Sequence, residues 1–241
     1  MDFSRPPRIR QFFATSPTPC PYVAGLAEQK LVLELKTEDA GAFFGELSRA
    51  GFRRSHGLAY KPTCKGCNSC VPVRIPVNGF EDSRSLRRIR NRNSDLTAHE
   101  RPPKATEEQF ILFKRYLTRR HGESDMAEMG WRDYRAMVED TPIDSAIIEH
   151  RGENGLLEAA VLIDLADDSI SAVYSYFDPD QPRRSLGVFM VLDLVRRAQK
   201  LGLSHVYLGY WIEGSATMDY KRRFPGLEAL EDAVWRPIGA E

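Results

Sequence analysis

The chain has 241 residues, 42% of them hydrophobic, and its 34 lysines and arginines balance 34 aspartates and glutamates, for a formal net charge of zero. That length and apolar content support a substantial core in one large domain or two small ones, and exclude both a disordered chain and a miniature disulfide scaffold. No apolar run is long enough to cross a bilayer and the N-terminal region lacks a secretory signal, so a cytoplasmic protein without a membrane partner is expected.

Charge is unevenly placed. Residues 49–92 hold eleven basic and two acidic side chains while 149–180 hold one basic and eight acidic, so overall neutrality hides a basic surface suited to a polyanion. In chain order, residues 1–21 carry four prolines before Cys20, which predicts an irregular arm anchored by Phe12 and Phe13. Residues 31–35 read LVLEL, a strand, after which Thr37 caps a helix that Gly51 stops. Residues 52–60 read as another strand.

Cys64, Cys67 and Cys70 then form C-x2-C-x2-C, with Lys65-Gly66 and Asn68-Ser69 as turn formers, and Cys20 is the only other cysteine. Thiolates so spaced can turn back on one zinc ion or one iron-sulfur cluster; the third reading is four small packed side chains without a metal. Residues 71–77 alternate as a strand, and Pro72 and Pro76 argue for a sheet edge. Residues 80–92 suit a short helix capped by Ser83, with Leu86 and Ile89 on its buried side. Arg84, Arg87, Arg88, Arg90 and Arg92 spread over the remainder, where planar guanidinium forks match RNA phosphates.

Thr106-Glu-Glu-Gln109 has the spacing of a capping box and opens a helix through Arg119. Residues 122–130 make a loop of lid length containing Met126 and Met129, and a second helix covers 131–138. Pro102-Pro103 marks the best boundary between a unit at 1–100, rich in cysteine and arginine, and a catalytic unit at 101–241. Beyond Pro142, strands at 145–150, 157–165 and 170–177 predict an antiparallel meander. A helix over 186–200 ended by Gly202, a strand at 204–210, a short helix around 219–224 and a strand near 229–235 complete an α+β fold with a mixed sheet and packed helices. The five histidines are scattered, and no Walker loop or GxGxxG is present, so Ser-His-Asp hydrolysis, nucleotide hydrolysis and dinucleotide redox chemistry lack support.

Several segments together resemble one family: Cys20-Pro-Tyr, Gly51-Phe-Arg-Arg-Ser, the run from Tyr60 through the three cysteines to Arg74, Ser83-Arg-Ser-Leu-Arg-Arg-Ile-Arg-Asn-Arg-Asn, Ser171-Ala-Val-Tyr-Ser-Tyr-Phe-Asp-Pro, Arg184-Ser-Leu-Gly and Tyr207-Leu-Gly-Tyr-Trp-Ile. In this order they resemble the aminoacyl-tRNA protein transferases. The resemblance implies an acetyltransferase-like (GNAT-like) catalytic half, no organic cofactor, and an N-terminal half whose cysteines hold zinc or an iron-sulfur cluster. It also implies aminoacyl-tRNA and protein partners and no DNA. Short bacterial members move leucine from Leu-tRNA onto N-terminal Asp or Glu, marking the protein for degradation by the N-end rule, whereas eukaryotic relatives move arginine from Arg-tRNA. Thr217 stands where the family pattern has lysine, and the segment Phe224-Pro225-Gly226-Leu227-Glu228 lacks the family's arginine.

For such a reaction the ester is already activated, so the α-amine can attack it directly once aligned and deprotonated, with tyrosine or backbone donors at the oxyanion. Strand spacing gives Tyr174, Tyr176 and Asp178 one face, and Asp178 is the first candidate to orient or deprotonate the amine. Tyr210 and Glu213 are further catalytic candidates flanking Trp211, a candidate for substrate contact. Arg184, Lys221 and Arg222 are candidates for the acceptor's acidic side chain or the terminal phosphates. A second reading, from the arginine run beside the cysteines, is a non-catalytic RNA-binding or iron-sulfur sensor protein.

Overall fold

The computed structural model describes residues 10–35, 40–120, 125–215 and 217–238. Its first half contains β1 (Phe13–Ala14), β2 (Thr18–Pro19), β3 (Ala27–Glu28), β4 (Lys30–Glu34), α1 (Ala40–Arg49), β5 (Arg53–Ser55), β6 (Leu58–Pro62), β7 (Val71–Pro76), α2 (Arg84–Arg92), β8 (Thr97–Arg101) and α3 (Glu107–Arg120). There follow α4 (Trp131–Glu139), β9 (Ser145–Arg151), β10 (Leu157–Ala166), β11 (Ser169–Phe177), α5 (Leu186–Leu201), β12 (His205–Trp211), β13 (Glu228–Glu231) and β14 (Val234–Pro237). Eight strands make one mixed sheet in the order β14-β13-β7-β12-β11-β10-β9-β8, and a smaller sheet runs β1-β4-β6-β5. This is the α+β architecture expected.

The helices form where local chemistry favours them. In α3 the capping box closes reciprocally, Thr106 N–H donating to Gln109 Oε1 at 3.0 Å and Gln109 N–H to Thr106 Oγ1 at 3.3 Å. Ser83 caps α2 by accepting from Leu86 N–H, and Leu86 and Ile89 are the buried residues of that helix. Gly202, at φ 69°, ends α5 in the left-handed conformation and donates to the carbonyls of Ala198 and Gln199. Helices α2 and α5 share one apolar cluster with Ile75, Ile148, Val161 and Val206, while α3 and α4 share another with Ile147, Ala160, Leu162 and Tyr176. Alternating strand residues thus feed two cores.

Four expectations change. β7 lies inside the sheet, between β13 and β12, not at its edge. β13 pairs only with Val73 and Arg74, so Pro72 and Pro76 lie outside that ladder and leave it no missing N–H. The strand expected over 52–60 is a hairpin, β5 and β6, turning at His56 with φ 53°, and the one expected over 229–235 is another, turning at Asp232 and Ala233 with φ 49° and 62°. The lid-length loop contains a 3-10 turn at Asp125–Glu128, and Lys114 Nζ donates to Ala127 O and Met129 O, fastening this part to α3. Thr37 and residues 122–124 lie outside the described residues. β7, which precedes the division at 100/101, and β8, which straddles it, both belong to the eight-stranded sheet.

A buried ion pair ties the small sheet to the large one. Arg54 on β5 grips Asp164 on β10 with two parallel bonds, Nε to Oδ2 at 2.6 Å and Nη2 to Oδ1 at 2.8 Å, and neither side chain is exposed at all. Ser145 Oγ adds a bond to Asp164 at 2.6 Å. Removing one partner leaves a buried charge without compensation, so Asp164→Ala is expected to lower unfolding free energy by about 3–5 kcal/mol in denaturant titration. A loss below about 1 kcal/mol would match an exposed pair and contradict this anchoring role.

Candidate active site

A cleft originates in a defect of the large sheet. β11 and β12 are its one parallel pair, yet they are in register only at Ser169↔His205, Ile170↔Val206 and Ser171↔Tyr207. Beyond that point the strands part. β12 also bulges between Tyr207 and Gly209 against β7, and Gly209 sits at φ 78°. Between the diverging strands opens a cleft of about 880 Å³, whose other walls come from the first turns of α5, from the segment after β12, and from the N-terminal half through Tyr22, Tyr60 and Cys70.

Two cations sit where the strands part. Arg53 Nη1 donates to Ser171 Oγ at 3.0 Å and its Nη2 donates to Ala172 O, the carbonyl just past the last paired residue of β11. Lys221 Nζ donates to Tyr210 O on β12. Both side chains line the cleft, with Arg53 8% and Lys221 7% exposed. Burial, and then the neighbouring Arg53, lower the Lys221 ammonium from its ordinary range to about 7.

Tyrosines dominate the remaining polar lining. Burial pushes Tyr174 well above the usual phenol range and Tyr220 up to about 12, so both keep their protons at neutral pH and serve as donors. Tyr174 rests edge-on against Phe113, with centroids 5.7 Å apart. Tyr210 also lines the cleft, but its hydroxyl is already committed to Gly51 O at 3.0 Å and Tyr60 O at 3.1 Å, so it ties β12 to the small sheet. Glu213 stands exposed on the rim. The inner wall formed by Val161, Met190, Val191, Leu194 and Leu208 is apolar.

Of the expected catalytic and substrate-binding residues, Tyr174, Tyr210, Glu213 and Lys221 therefore meet in the cleft. The others lie elsewhere. Tyr176 is buried in the cluster under α3 and α4, its hydroxyl 2.6 Å from that of Tyr134. Asp178 ion-pairs with Arg115 at 2.9 Å and accepts from Asp180 N–H, which places it in a turn held by surface charge. Trp211 packs into the main core with Arg222 stacked over its ring at 5.6 Å. Arg184 binds Asn93 Oδ1 at 2.8 Å and Asp95 Oδ1 at 2.5 Å, clamping the end of α2 to the turn that opens α5. In the sequence Arg53 stands out only as part of Gly51-Phe-Arg-Arg-Ser; its usable signal is two adjacent arginines in a short strand, which must face opposite ways.

On α2, Arg84, Arg87, Arg88 and Arg92 are exposed, whereas Arg90 is paired with Asp82 at 2.7 Å. Arg92 donates to Arg183 O, so this basic face adjoins the start of α5 and through it the cleft. The cysteines converge in a looser way. Burial first, and then Cys20, Cys64 and Cys67, push the Cys70 thiol up to about 11. Cys67 instead bonds Ser69 Oγ, and Cys64 accepts from Gln29 N–H. Among the described residues no three His, Cys, Asp or Glu side chains are arranged to hold a metal ion.

A family model described as arginine-tRNA-protein transferase, N terminus, matches residues 18–88, and its C-terminal counterpart matches 108–231. Curated relatives bearing the name aspartate/glutamate leucyltransferase include one from Granulibacter bethesdensis, 48% identical over 99% of this chain and 90% of its own. Another, from Paramagnetospirillum magneticum, is 53% identical over 93% and 92%, and one from Caulobacter vibrioides 46% over 98% and 86%. Solved structures include L-PGS from Bacillus licheniformis, 16% identical, covering 62% of this chain and 49% of that one at a TM-score of 0.48. A tandem GNAT protein from the clavulanic acid biosynthesis pathway is 9% identical, covering 76% and 53%, at 0.40.

Lys221 gives a direct check on the cleft's electrostatics. Its ammonium keeps its proton to about pH 10.4 in the unfolded chain but only to about pH 7 when folded, so the unfolded state binds more protons between these values and stability rises with pH across that window. Lys221→Met removes this slope. The stability difference, parent minus variant, is expected to grow by on the order of 4 kcal/mol between pH 7 and pH 10.4. Parallel curves in denaturant titrations would show that the ammonium is not desolvated.

Proposed function

The chain belongs to the arginine-tRNA-protein transferase family, and on that footing we propose that it transfers leucine from Leu-tRNA to the α-amine of proteins beginning with Asp or Glu, in the cytoplasm where charged tRNA is found. The observation that carries this reading is near-half identity, over almost the full chain, to relatives bearing the aspartate/glutamate leucyltransferase name. The apolar inner wall of the cleft supports leucine over arginine as the group transferred. A guanidinium placed against Val161, Met190 and Leu194 would lose its hydration without gaining a carboxylate there.

The reaction follows from the lining. The acceptor's neutral amine adds to the carbonyl carbon of the leucyl ester, the C=O electron pair moves to oxygen, and the tetrahedral adduct collapses with the tRNA ribose oxygen leaving. A peptide bond forms and an ester breaks. Tyr174 makes no hydrogen bond to another described residue and remains an O–H donor at neutral pH, so it is assigned to the developing oxyanion. Glu213, the carboxylate on the rim, is assigned to take the proton leaving the amine and return it to the departing ribose oxygen, which leaves as a hydroxyl. Arg84, Arg87 and Arg88 hold the tRNA backbone, and the clamp of Arg184 on Asn93 and Asp95 fixes that surface relative to the cleft.

Purified protein supplied with Leu-tRNA or Arg-tRNA is expected to move leucine, and not arginine, onto Asp- and Glu-initiated peptides. Transfer of arginine instead would reassign the donor, and RNA binding without ester consumption would reduce the protein to a binding module. Replacing Arg87 and Arg88 together with Gln should weaken Leu-tRNA binding and flatten the slope of log K against log salt by roughly 1.4–1.8. An unchanged slope removes α2 from the tRNA surface.

A further inference from the structure

Elsewhere in the core a buried charge has a counter-charge: Arg54 has Asp164, and Glu149 has Arg151 at 3.0 Å. Arg53 and Lys221 are equally buried, lie close enough for Arg53 to depress the lysine, and form no ion pair with any described residue. Two like charges shut away from water beside each other cost stability unless something anionic joins them. The hydrogen bonds they do make, to Ser171 Oγ, Ala172 O and Tyr210 O, use two N–H donors of Arg53 and one of Lys221. That leaves three donors on the guanidinium and two on the ammonium, enough for both oxygens of a carboxylate.

The surrounding backbone is shaped to hold this pair in place. Gly209 sits at φ 78° on the bulge of β12, and a Cβ there would lie 3.1–3.4 Å from the Arg53 guanidinium, closer than ordinary contact. Arg53 is fixed from behind as well, because its neighbour Arg54 is locked to Asp164.

We propose that Arg53 and Lys221 together form the pocket that receives the acidic side chain of the acceptor's N-terminal residue, and so set the preference for Asp or Glu. This rests on the transfer reading above. An acceptor carboxylate suits the position better than a tRNA phosphate, because a phosphodiester carries nucleotides on both sides and needs an open surface such as α2. A short side chain can end in a buried corner where β11 and β12 part. Lys221 was already a candidate for this task from sequence; Arg53 is its partner, while Arg184 and Arg222 are engaged with Asp95 and Trp211.

The test compares Asp- with Asn-initiated peptides, alike in shape and different in charge, at saturating Leu-tRNA. Lys221→Met and Arg53→Gln should each lower the Asp-over-Asn ratio of kcat/KM by roughly 10- to 100-fold, with KM for Leu-tRNA held within about twofold. Lys221→Arg, which keeps the charge, should retain most of the ratio. A ratio within about twofold of the parent in folded Lys221→Met overturns the proposal while leaving leucine transfer intact, whereas a parent that transfers no leucine overturns the transfer reading itself. A second measurement needs no variant: acetylation of Lys221 by acetic anhydride, mapped by mass spectrometry, should be suppressed by Asp-Ala and not by Asn-Ala. Equal labelling of Lys221 in the presence of either peptide counts against the pocket.

Discussion

Everything at the site follows from the early parting of two parallel strands. β11 and β12 share three residue pairs and then diverge, and a sheet that opens in this way exposes backbone carbonyls that its ladder would otherwise satisfy. In this chain the Ala172 and Tyr210 carbonyls, one on each limb, are met by Arg53 and Lys221. The gap is thereby propped open by cations instead of being closed by hydrogen bonds. Gly209 and the bulge beside it supply the room that a regular strand would deny.

The N-terminal half is part of this arrangement and not an appendage to it. The small sheet delivers Arg53 to the cleft only because Arg54, facing the other way, is fixed to Asp164. Tyr210 adds a second tie, from β12 back to Gly51 and Tyr60. Burying three cations within one region while supplying one carboxylate sacrifices stability for an unpaired positive corner. That imbalance is what a stability-optimised core would eliminate, and its persistence beside an open cleft argues for a ligand.

The sequence was most legible where local chemistry decides the outcome. The reciprocal cap of Thr106 and Gln109, the Ser83 cap with Leu86 and Ile89, the Gly202 stop and the meander of β9 to β11 all follow from residues within a few positions of one another. It was least legible where a partner far along the chain decides. Pro72 and Pro76 signalled an edge, yet β13 covers only Val73 and Arg74 between them. Tyr174 and Tyr176 share a strand face, but the parting of β11 leaves Tyr174 reaching the cleft while Tyr176 is sealed under α3 and α4. Asp178 had the right chemistry for a base, and Arg115, distant in sequence, captures it. Arg53 and Arg54 gave no local sign of which would be neutralised, because Asp164 and the strand split are both remote.

On the proposed reading, the leucyl ester is bound in the cleft between the parted strands. A leucyl-adenosine analogue with a stable 3′-amide and a photoreactive leucine side chain, crosslinked to the intact protein and mapped by mass spectrometry, tests this directly. Labels are expected on the apolar wall, at Val161, Met190, Val191, Leu194 or Leu208, competed by unlabelled Leu-tRNA. Competed labelling confined to another surface, such as the outer face of α3 and α4, would contradict it.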